Sequence, residues 1–86
     1  MSDLPAVTGF QLIRLLELDG WEPGRIARHG QTLRKWIERE KQTLVAFVPR
    51  KRASLPGGTL AGILGPKQTR LGRRGLGQLI RRHGLR

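Results

Sequence analysis

The apolar run TLVAFVP, residues 43–49, is the feature that most constrains the fold of this chain. The run is shorter than a typical helix, and valine and phenylalanine favour strands, so it predicts a β-strand that Pro49 closes. Because the run is almost continuously apolar, it also predicts burial on both faces, as in a central strand.

A helix is predicted before the strands, over residues 8–20. Thr8 and Gln11 have the spacing of a capping box, in which each side chain bonds the backbone N–H of the other residue. Apolar side chains recur at helical spacing through the segment, and Gly20 ends it. The helix should therefore bury one side against a sheet; its apolar stripe is Phe10, Ile13 and Leu16, widened by Leu12 and Leu15.

The remaining elements complete an α-β-β-β-α-α order. Residues 21–28 form a weak strand that Pro23-Gly24 interrupts, and residues 31–38 form a better one. Residues 59–65 predict a short helix with Thr59 as N-cap, and residues 75–84 a last helix that ends at Gly84. This order indicates an α+β fold, with a three-stranded antiparallel sheet and helices on one face.

The length of 86 residues suits a single domain. We expect a flexible arm at residues 1–7, which contains Pro5, followed by one domain over residues 8–86.

Charge is distributed very unevenly along the chain. The formal net charge is +11, from 17 basic and 6 acidic residues. Residues 1–40 hold all six acids and six bases, whereas residues 41–86 hold eleven bases and no acid. Such an excess attracts polyanions, so nucleic acid is the expected ligand, and a merely solubilising basic surface is the alternative.

Several other functions are disfavoured by composition. The chain has no cysteine, and its two histidines lie far apart in sequence, so a zinc site is not expected. A two-metal nuclease needs clustered carboxylates, and the pairs Asp19/Glu22 and Glu38/Glu40 are expected to be solvated instead. The glycine-rich segments do not match a phosphate-binding loop, so no cofactor is expected. No apolar run approaches the ~18 residues of a membrane span, and no secretory signal is recognisable, so we expect a cytoplasmic protein.

The segment RIARHGQTLRKW, residues 25–36, holds the main candidate for chemistry. His29 stands among Arg25, Arg28, Arg34 and Lys35. RNA carries its own nucleophile, the 2′-hydroxyl, so a protein that cleaves it needs a base of near-neutral pKa and cations for the phosphate. His29 is therefore the candidate catalytic residue; the alternative is an ordinary histidine of a solvated loop.

Candidate RNA-binding residues come from the same segment and from the basic second half: Arg28, Arg34, Lys35, Trp36, Arg50, Lys51, Arg52 and Lys67. All four aromatic residues, Phe10, Trp21, Trp36 and Phe47, are expected in the core. Among them Trp36, next to Lys35 on a predicted strand, is the best candidate for stacking on a base.

Two motifs resemble the HicA toxins of bacterial toxin–antitoxin modules. Members of that family open with a helix of the form G-x-x-L-I-x-x-L-x-x-x-G-[WF], matched here by Gly9, Leu12, Ile13, Leu16, Gly20 and Trp21. They end with a G-T-L-x-x-I-L segment, matched by Gly58, Thr59, Leu60, Ile63 and Leu64. The resemblance covers residues 8–86, whose tail is similar to a longer-tailed subgroup.

This resemblance implies a fold like the double-stranded-RNA-binding domain, with an extra C-terminal helix. It also implies a ribosome-independent endoribonuclease that cleaves mRNA without a metal and is inhibited by a HicB-type antitoxin covering the active site. The family's catalytic histidine stands in a G-S-H motif, where this chain has Arg28-His29-Gly30, one position early. A bulge at Pro23-Gly24 would restore the orientation of His29.

Two alternatives to a toxin enzyme stay open. The departure from G-S-H favours a non-catalytic RNA-binding module on the same fold. A third possibility is a fragment that needs another chain to complete its sheet or core.

Overall fold

The structure, a computed structural model, describes residues 6–85. Its elements follow the order α1 (Gly9–Leu18), β1 (Glu22–Ala27), β2 (Gly30–Ile37), β3 (Gln42–Val48), α2 (Gly57–Ile63) and α3 (Gly72–His83). The strands form one antiparallel sheet in the order β1-β2-β3. The predicted α+β architecture, with three strands and three helices, is confirmed.

Helix α1 begins as its sequence predicts. Thr8 accepts a hydrogen bond from the backbone N–H of Gln11, and the Gln11 side chain accepts one from the backbone N–H of Thr8. Both bonds satisfy N–H groups that the first helical turn would otherwise leave unpaired. Val7 is fully buried and its carbonyl accepts from Leu55, so this residue of the expected arm belongs to the packed chain. Residues 1–5 of that arm lie outside the described residues.

The start of α1 lies directly against the chain that leaves β3. A Cβ built on Gly9 would lie 1.8 Å from the carbonyl oxygen of Pro49 and 2.8 Å from the backbone nitrogen of Lys51. The next residue, Phe10, donates its backbone N–H to the carbonyl of Lys51. Only glycine permits this approach, which fixes the basic segment 50–52 at the beginning of α1.

One face of the sheet is buried under the helices. Leu33 of β2 and Leu44, Ala46 and Val48 of β3 point to that face and join a core formed mainly by leucines of α1, α2 and α3. Residues between them point to solvent, giving the alternation of a sheet with one covered face. Opposite the core lies an open face, formed by Thr32, Arg34 and Trp36 of β2 and Thr43, Val45 and Phe47 of β3.

The prediction that β3 is a central strand buried on both faces was wrong. β3 lies at the edge of the sheet, and Val45 and Phe47 are 47% and 41% exposed. The connection between α2 and α3 covers its outer edge: Gln68 accepts the backbone N–H of Phe47, and Arg70 binds Glu40. An apolar run indicates that a strand can be buried, but it does not show which face of the strand packs against another element.

The C-terminal helices differ from prediction at their beginnings. α2 begins at Gly57 after Pro56, so Thr59 is inside the helix rather than its N-cap. α3 begins at Gly72, three residues before the predicted start, and ends at Gly84, which has the expected positive φ of 79°. Within residues 6–85, no helix is long and apolar enough to cross a membrane.

Candidate nucleic-acid interface

Antiparallel strands bring the basic segments of the chain together at one end of the sheet. The turn that follows β1, the segment that follows β3 and the start of α1 all meet there. We call this the basic end; its charged residues are Arg25, Arg28, His29, Arg50, Lys51 and Arg52, all exposed. Among the described residues no acid forms an ion pair with any of them.

The acids lie at the opposite end, where α1 finishes, β1 begins and β2 turns into β3. This acidic end holds every acid that the structure describes: Glu17, Asp19, Glu22, Glu38 and Glu40. Three of them are paired, in the ion pairs Lys35–Asp19, Lys41–Glu38 and Arg70–Glu40. Positive charge is therefore balanced at one end of the sheet and unbalanced at the other, an arrangement that orients an approaching polyanion.

His29 lies at the tip of the β1–β2 hairpin, in the two-residue turn that it forms with Arg28. Both side chains are exposed, and no described residue forms a hydrogen bond with the imidazole. The β2–β3 pairing ends with Gln31 opposite Val48, so the turn that holds His29 and the segment that holds Arg50 both lie beyond it, at the basic end. The ring is exposed there and accessible to a large substrate.

The bulge predicted near Pro23-Gly24 is present. The pairing of β1 with β2 shifts between Pro23 and Ile26, so β1 has more residues in this stretch than the part of β2 that it pairs with. The bulge does not place His29 on a strand face, since the turn begins at Arg28. The orientation of the ring is consequently set by the turn rather than by strand alternation.

Arg50 is held by an aromatic side chain. Its guanidinium carbon lies 5.1 Å from the centroid of the Phe10 ring, a cation–π contact. Phe10 was expected in the core but is 40% exposed, because at 100° per residue it lies on the side of α1 that holds exposed Glu17, away from buried Leu12 and Leu16. Sequence reasoning missed this role; the combination of a terminal aromatic residue with an arginine-rich loop could have indicated it.

Arg34 and Trp36 lie on the open face, away from the basic end. Trp36 is 53% exposed and donates its indole N–H to Glu38, and Arg34 pairs across the sheet with Glu22 on β1. A cleft of about 510 Å³ runs beside them; its lining is Gly20, Glu22, Arg34, Lys35, Trp36 and Thr43. Trp36 was expected in the core with the other aromatic residues, but strand alternation turns it to the open face. The exposed indole is compatible with the predicted base stacking.

Lys35 points to the other side of β2 from its two neighbours. Its ammonium donates to the Asp19 carboxylate at 3.2 Å and to the Asp19 backbone carbonyl at 3.0 Å. These bonds close the C-terminal end of α1, where a cation interacts favourably with the unpaired carbonyls. Lys35 is thus engaged within the fold, whereas Lys67 is exposed beside the edge of β3.

Phe47 is a second aromatic residue that the sequence placed in the core and the structure places on the open face. Its ring covers Gly30: a Cβ there would lie 2.8 Å from the ring and 2.6 Å from the carbonyl oxygen of Val48. Gly30 follows His29 directly, so Phe47 supports the strand from which the catalytic candidate projects. The open face therefore carries one aromatic side chain near each end of the sheet.

Comparison with known proteins gives no relative for this chain: no family model, curated protein or solved structure matches it significantly. In the part of the chain that the structure describes, no three His, Cys, Asp or Glu side chains are grouped so as to hold a metal ion.

Proposed function

We propose that this protein binds single-stranded RNA at the basic end and cleaves it as a HicA-type toxin, on a fold like the double-stranded-RNA-binding domain. The α-β-β-β-α order and the two sequence motifs support the fold assignment. The activity is that of a metal-independent, ribosome-independent endoribonuclease that acts on mRNA in the cytoplasm.

The observation that carries this proposal is the separation of charge along the sheet. Five arginine and lysine side chains share the basic end with the imidazole of His29, and every described acid lies at the other end. A phosphodiester bound by Arg28 and the 50–52 segment would lie next to His29. Contacts of this kind neutralise the charge that develops on phosphate during cleavage.

In the mechanism that follows, neutral His29 removes the proton of a ribose 2′-hydroxyl. The 2′-oxygen attacks the adjacent phosphorus, the bond from phosphorus to the 5′-oxygen breaks, and that oxygen takes a proton from water. Lys35 is a poor source of this proton, since both of its contacts are made with Asp19. Arg28 and Arg50 bind the phosphate oxygens throughout.

A second candidate function, a non-catalytic RNA-binding module, is favoured by the surroundings of His29. No described side chain or carbonyl fixes the ring by a hydrogen bond, whereas a general base is usually held by a partner group. Binding alone requires only the cations. The two functions predict the same affinity for RNA and differ in whether the RNA is cut.

The proposed partner is a HicB-type antitoxin with an acidic surface. Its charge would complement the basic end, and complementary fields speed association and fix the docking face. Inhibition would then occur by direct occlusion of His29.

The test is RNA cleavage by the purified protein in the presence of EDTA, with wild type, His29→Ala and the control His83→Ala. His83 lies on α3, away from the hairpin, so the control removes an imidazole without touching the basic end. We expect His29→Ala to lose roughly 10²–10⁴ in cleavage rate, the usual contribution of a general base. RNA affinity should be unchanged, and His83→Ala should cleave like wild type.

Two results would contradict the enzyme proposal in different ways. Equal cleavage by His29→Ala would remove His29 from the mechanism, and loss of cleavage in EDTA with recovery in Mg²⁺ would refute metal independence. Tight RNA binding without cleavage by any variant would select the non-catalytic module.

A further inference from the structure

Helix α3 presents a second concentrated positive surface that the proposed cleavage site does not use. Its inner side buries Leu76 and Leu79. At 100° per residue, Arg74, Gln78, Arg81 and Arg82 fall within an arc of about 100° on the opposite side. We call these four residues the α3 face; Gln78, Arg81 and Arg82 line a shallow groove of about 300 Å³.

The three arginines of the α3 face are exposed, and no described acid pairs with them. Within residues 6–85, Arg74, Arg81 and Arg82 form neither an ion pair nor a hydrogen bond with another side chain. They also span about 12 Å of the helix axis, at 1.5 Å per residue. Their guanidinium groups are therefore available to several anions at once.

Stabilisation of α3 through its helix dipole explains only part of the positive charge on the α3 face. Arg81 and Arg82 stand in the last turn, where cations interact favourably with the helix dipole. Arg74 stands in the first turn, which has no acid and no capping side chain, and there the dipole disfavours a cation. The helix dipole therefore accounts for Arg81 and Arg82 but gives Arg74 no role within the helix.

The composition of the α3 face distinguishes between classes of ligand. Docking surfaces for proteins usually have an apolar or aromatic centre, which carries most of the binding energy. The α3 face consists of arginine and glutamine alone, and the guanidinium fork binds phosphate oxygens in pairs. This composition fits a phosphate backbone better than an acidic protein.

The location of α3 makes its surface independent of the basic end. α3 packs mainly on α1, in the helical layer that covers the inner face of the sheet. An RNA strand that occupies the hairpin tip must leave the sheet and continue around the domain to reach it. The principal extents of the molecule are 34 × 31 × 22 Å, so an oligonucleotide of only a few nucleotides is too short to follow the surface from one site to the other.

We propose that the α3 face is a second binding surface for the RNA backbone, which holds long substrates that are cut at the basic end. The inference rests on the proposed function for the identity of the ligand, but uses none of the same residues. It predicts that affinity increases with RNA length beyond the size of the cleavage site.

The experiment compares the α3 variant Arg74→Gln/Arg81→Gln/Arg82→Gln with a matched variant of equal charge, Arg39→Gln/Lys41→Gln/Arg70→Gln at the acidic end. Binding is measured against oligouridylates of about 4 nucleotides, the lower end of the usual site sizes of single-strand binders, and of about 40 nucleotides. Three lost contacts should lower the log–log salt slope for the long RNA by about 2, which corresponds to roughly 100-fold in affinity at 0.1 M salt. The α3 variant should bind the short RNA like the matched variant.

Three outcomes would overturn the inference. Equal weakening of long-RNA binding by the two variants would mean that net charge alone is responsible. Equal weakening of short and long RNA by the α3 variant would mean that the surfaces are not independent. Loss of polyglutamate binding, with RNA binding retained, would assign the α3 face to an acidic protein.

Failure of the proposed function has a different signature. In that case an Arg28→Gln/Arg52→Gln variant would bind short RNA as tightly as wild type, regardless of the result for the α3 variant.

Discussion

Gly9→Ala should destabilise the protein strongly, because the glycine lets α1 touch the chain that leaves β3. A Cβ at this position would lie 1.8 Å from the Pro49 carbonyl oxygen, and the obstructing atoms are backbone. Relief requires α1 and residues 49–51 to separate, a forced shift that costs about 1–3 kcal/mol. Loss of the hydrogen bond from Phe10 to Lys51 adds about 1 kcal/mol, giving roughly 2–4 kcal/mol in total.

This loss is measurable by urea unfolding and by thermal unfolding followed by circular dichroism. For a domain of this size, 1 kcal/mol corresponds to about 4–8 °C, so Tm should fall by roughly 10–30 °C. The matched control is Gly77→Ala in the middle of α3, where a Cβ meets nothing within 4 Å. There alanine should stabilise by about 0.5–1 kcal/mol, the ordinary difference between the two residues in a helix.

The pair of variants tests the packing of α1 rather than glycine substitution in general. If Gly9→Ala unfolds at the same urea concentration as wild type, the start of α1 does not pack tightly against residues 49–51. Close packing at Gly9 would then not be what fixes the basic segment 50–52 at the beginning of α1.

Two further predictions concern the acidic end. Lys35→Met should lower the free energy of unfolding by about 1 kcal/mol, because the partly buried ion pair with Asp19 and the contacts that close α1 are lost. RNA affinity should change little. A large loss of RNA affinity would mean that Lys35 contacts RNA instead. Hydrogen bonds from Lys41 and Trp36 lower the pKa of Glu38 below its ordinary value of 4.5, against a small opposing effect of desolvation. Any stability from these bonds is therefore present above the pKa of Glu38 in the unfolded chain and is lost as pH falls through its pKa in the folded protein. Trp36 fluorescence should titrate with a midpoint below pH 4.5, and this midpoint should rise in Lys41→Met. An unchanged midpoint would contradict the Lys41 contact.

Features that depend on neighbouring residues were predictable from the sequence. The capping box at Thr8 and Gln11, the stop at Gly84 and the irregular pairing near Pro23 all follow from local backbone chemistry. The strands at residues 31–38 and 43–49 were found to within one or two residues, because strand propensity and turn signals agree there.

Features that depend on which face meets a partner were not predictable from the same patterns. The apolar run of β3 is compatible with a central or an edge strand, and only the order β1-β2-β3 decides that Phe47 faces solvent. Arg34 and Lys35 look equivalent as adjacent cations, yet strand alternation sends one to the open face and the other to Asp19. Phe10 fits the apolar spacing of α1 but lies on the side of the helix that holds exposed Glu17.

The two ends of the sheet could have been inferred from the sequence by combining charge with topology. Acids occur at residues 17–22 and 38–40, whereas unpaired bases occur at residues 25–28 and 50–52. In an antiparallel meander, each strand carries the chain from one end of the sheet to the other, so these alternating segments must gather at opposite ends. Counting charges separately for residues 1–40 and 41–86 does not reveal this separation of charge between the two ends of the sheet.

The separation has a consequence for inhibition if both proposed surfaces exist. The proposed acidic antitoxin would be attracted to the basic end, where no described acid lies, and repelled by the acidic end, so the charge separation would favour one docking direction along the sheet. There it would compete with RNA for the same cations and cover His29. If docking leaves the α3 face in the helical layer uncovered, an inhibited complex would stop cutting RNA while still holding long strands through Arg74, Arg81 and Arg82.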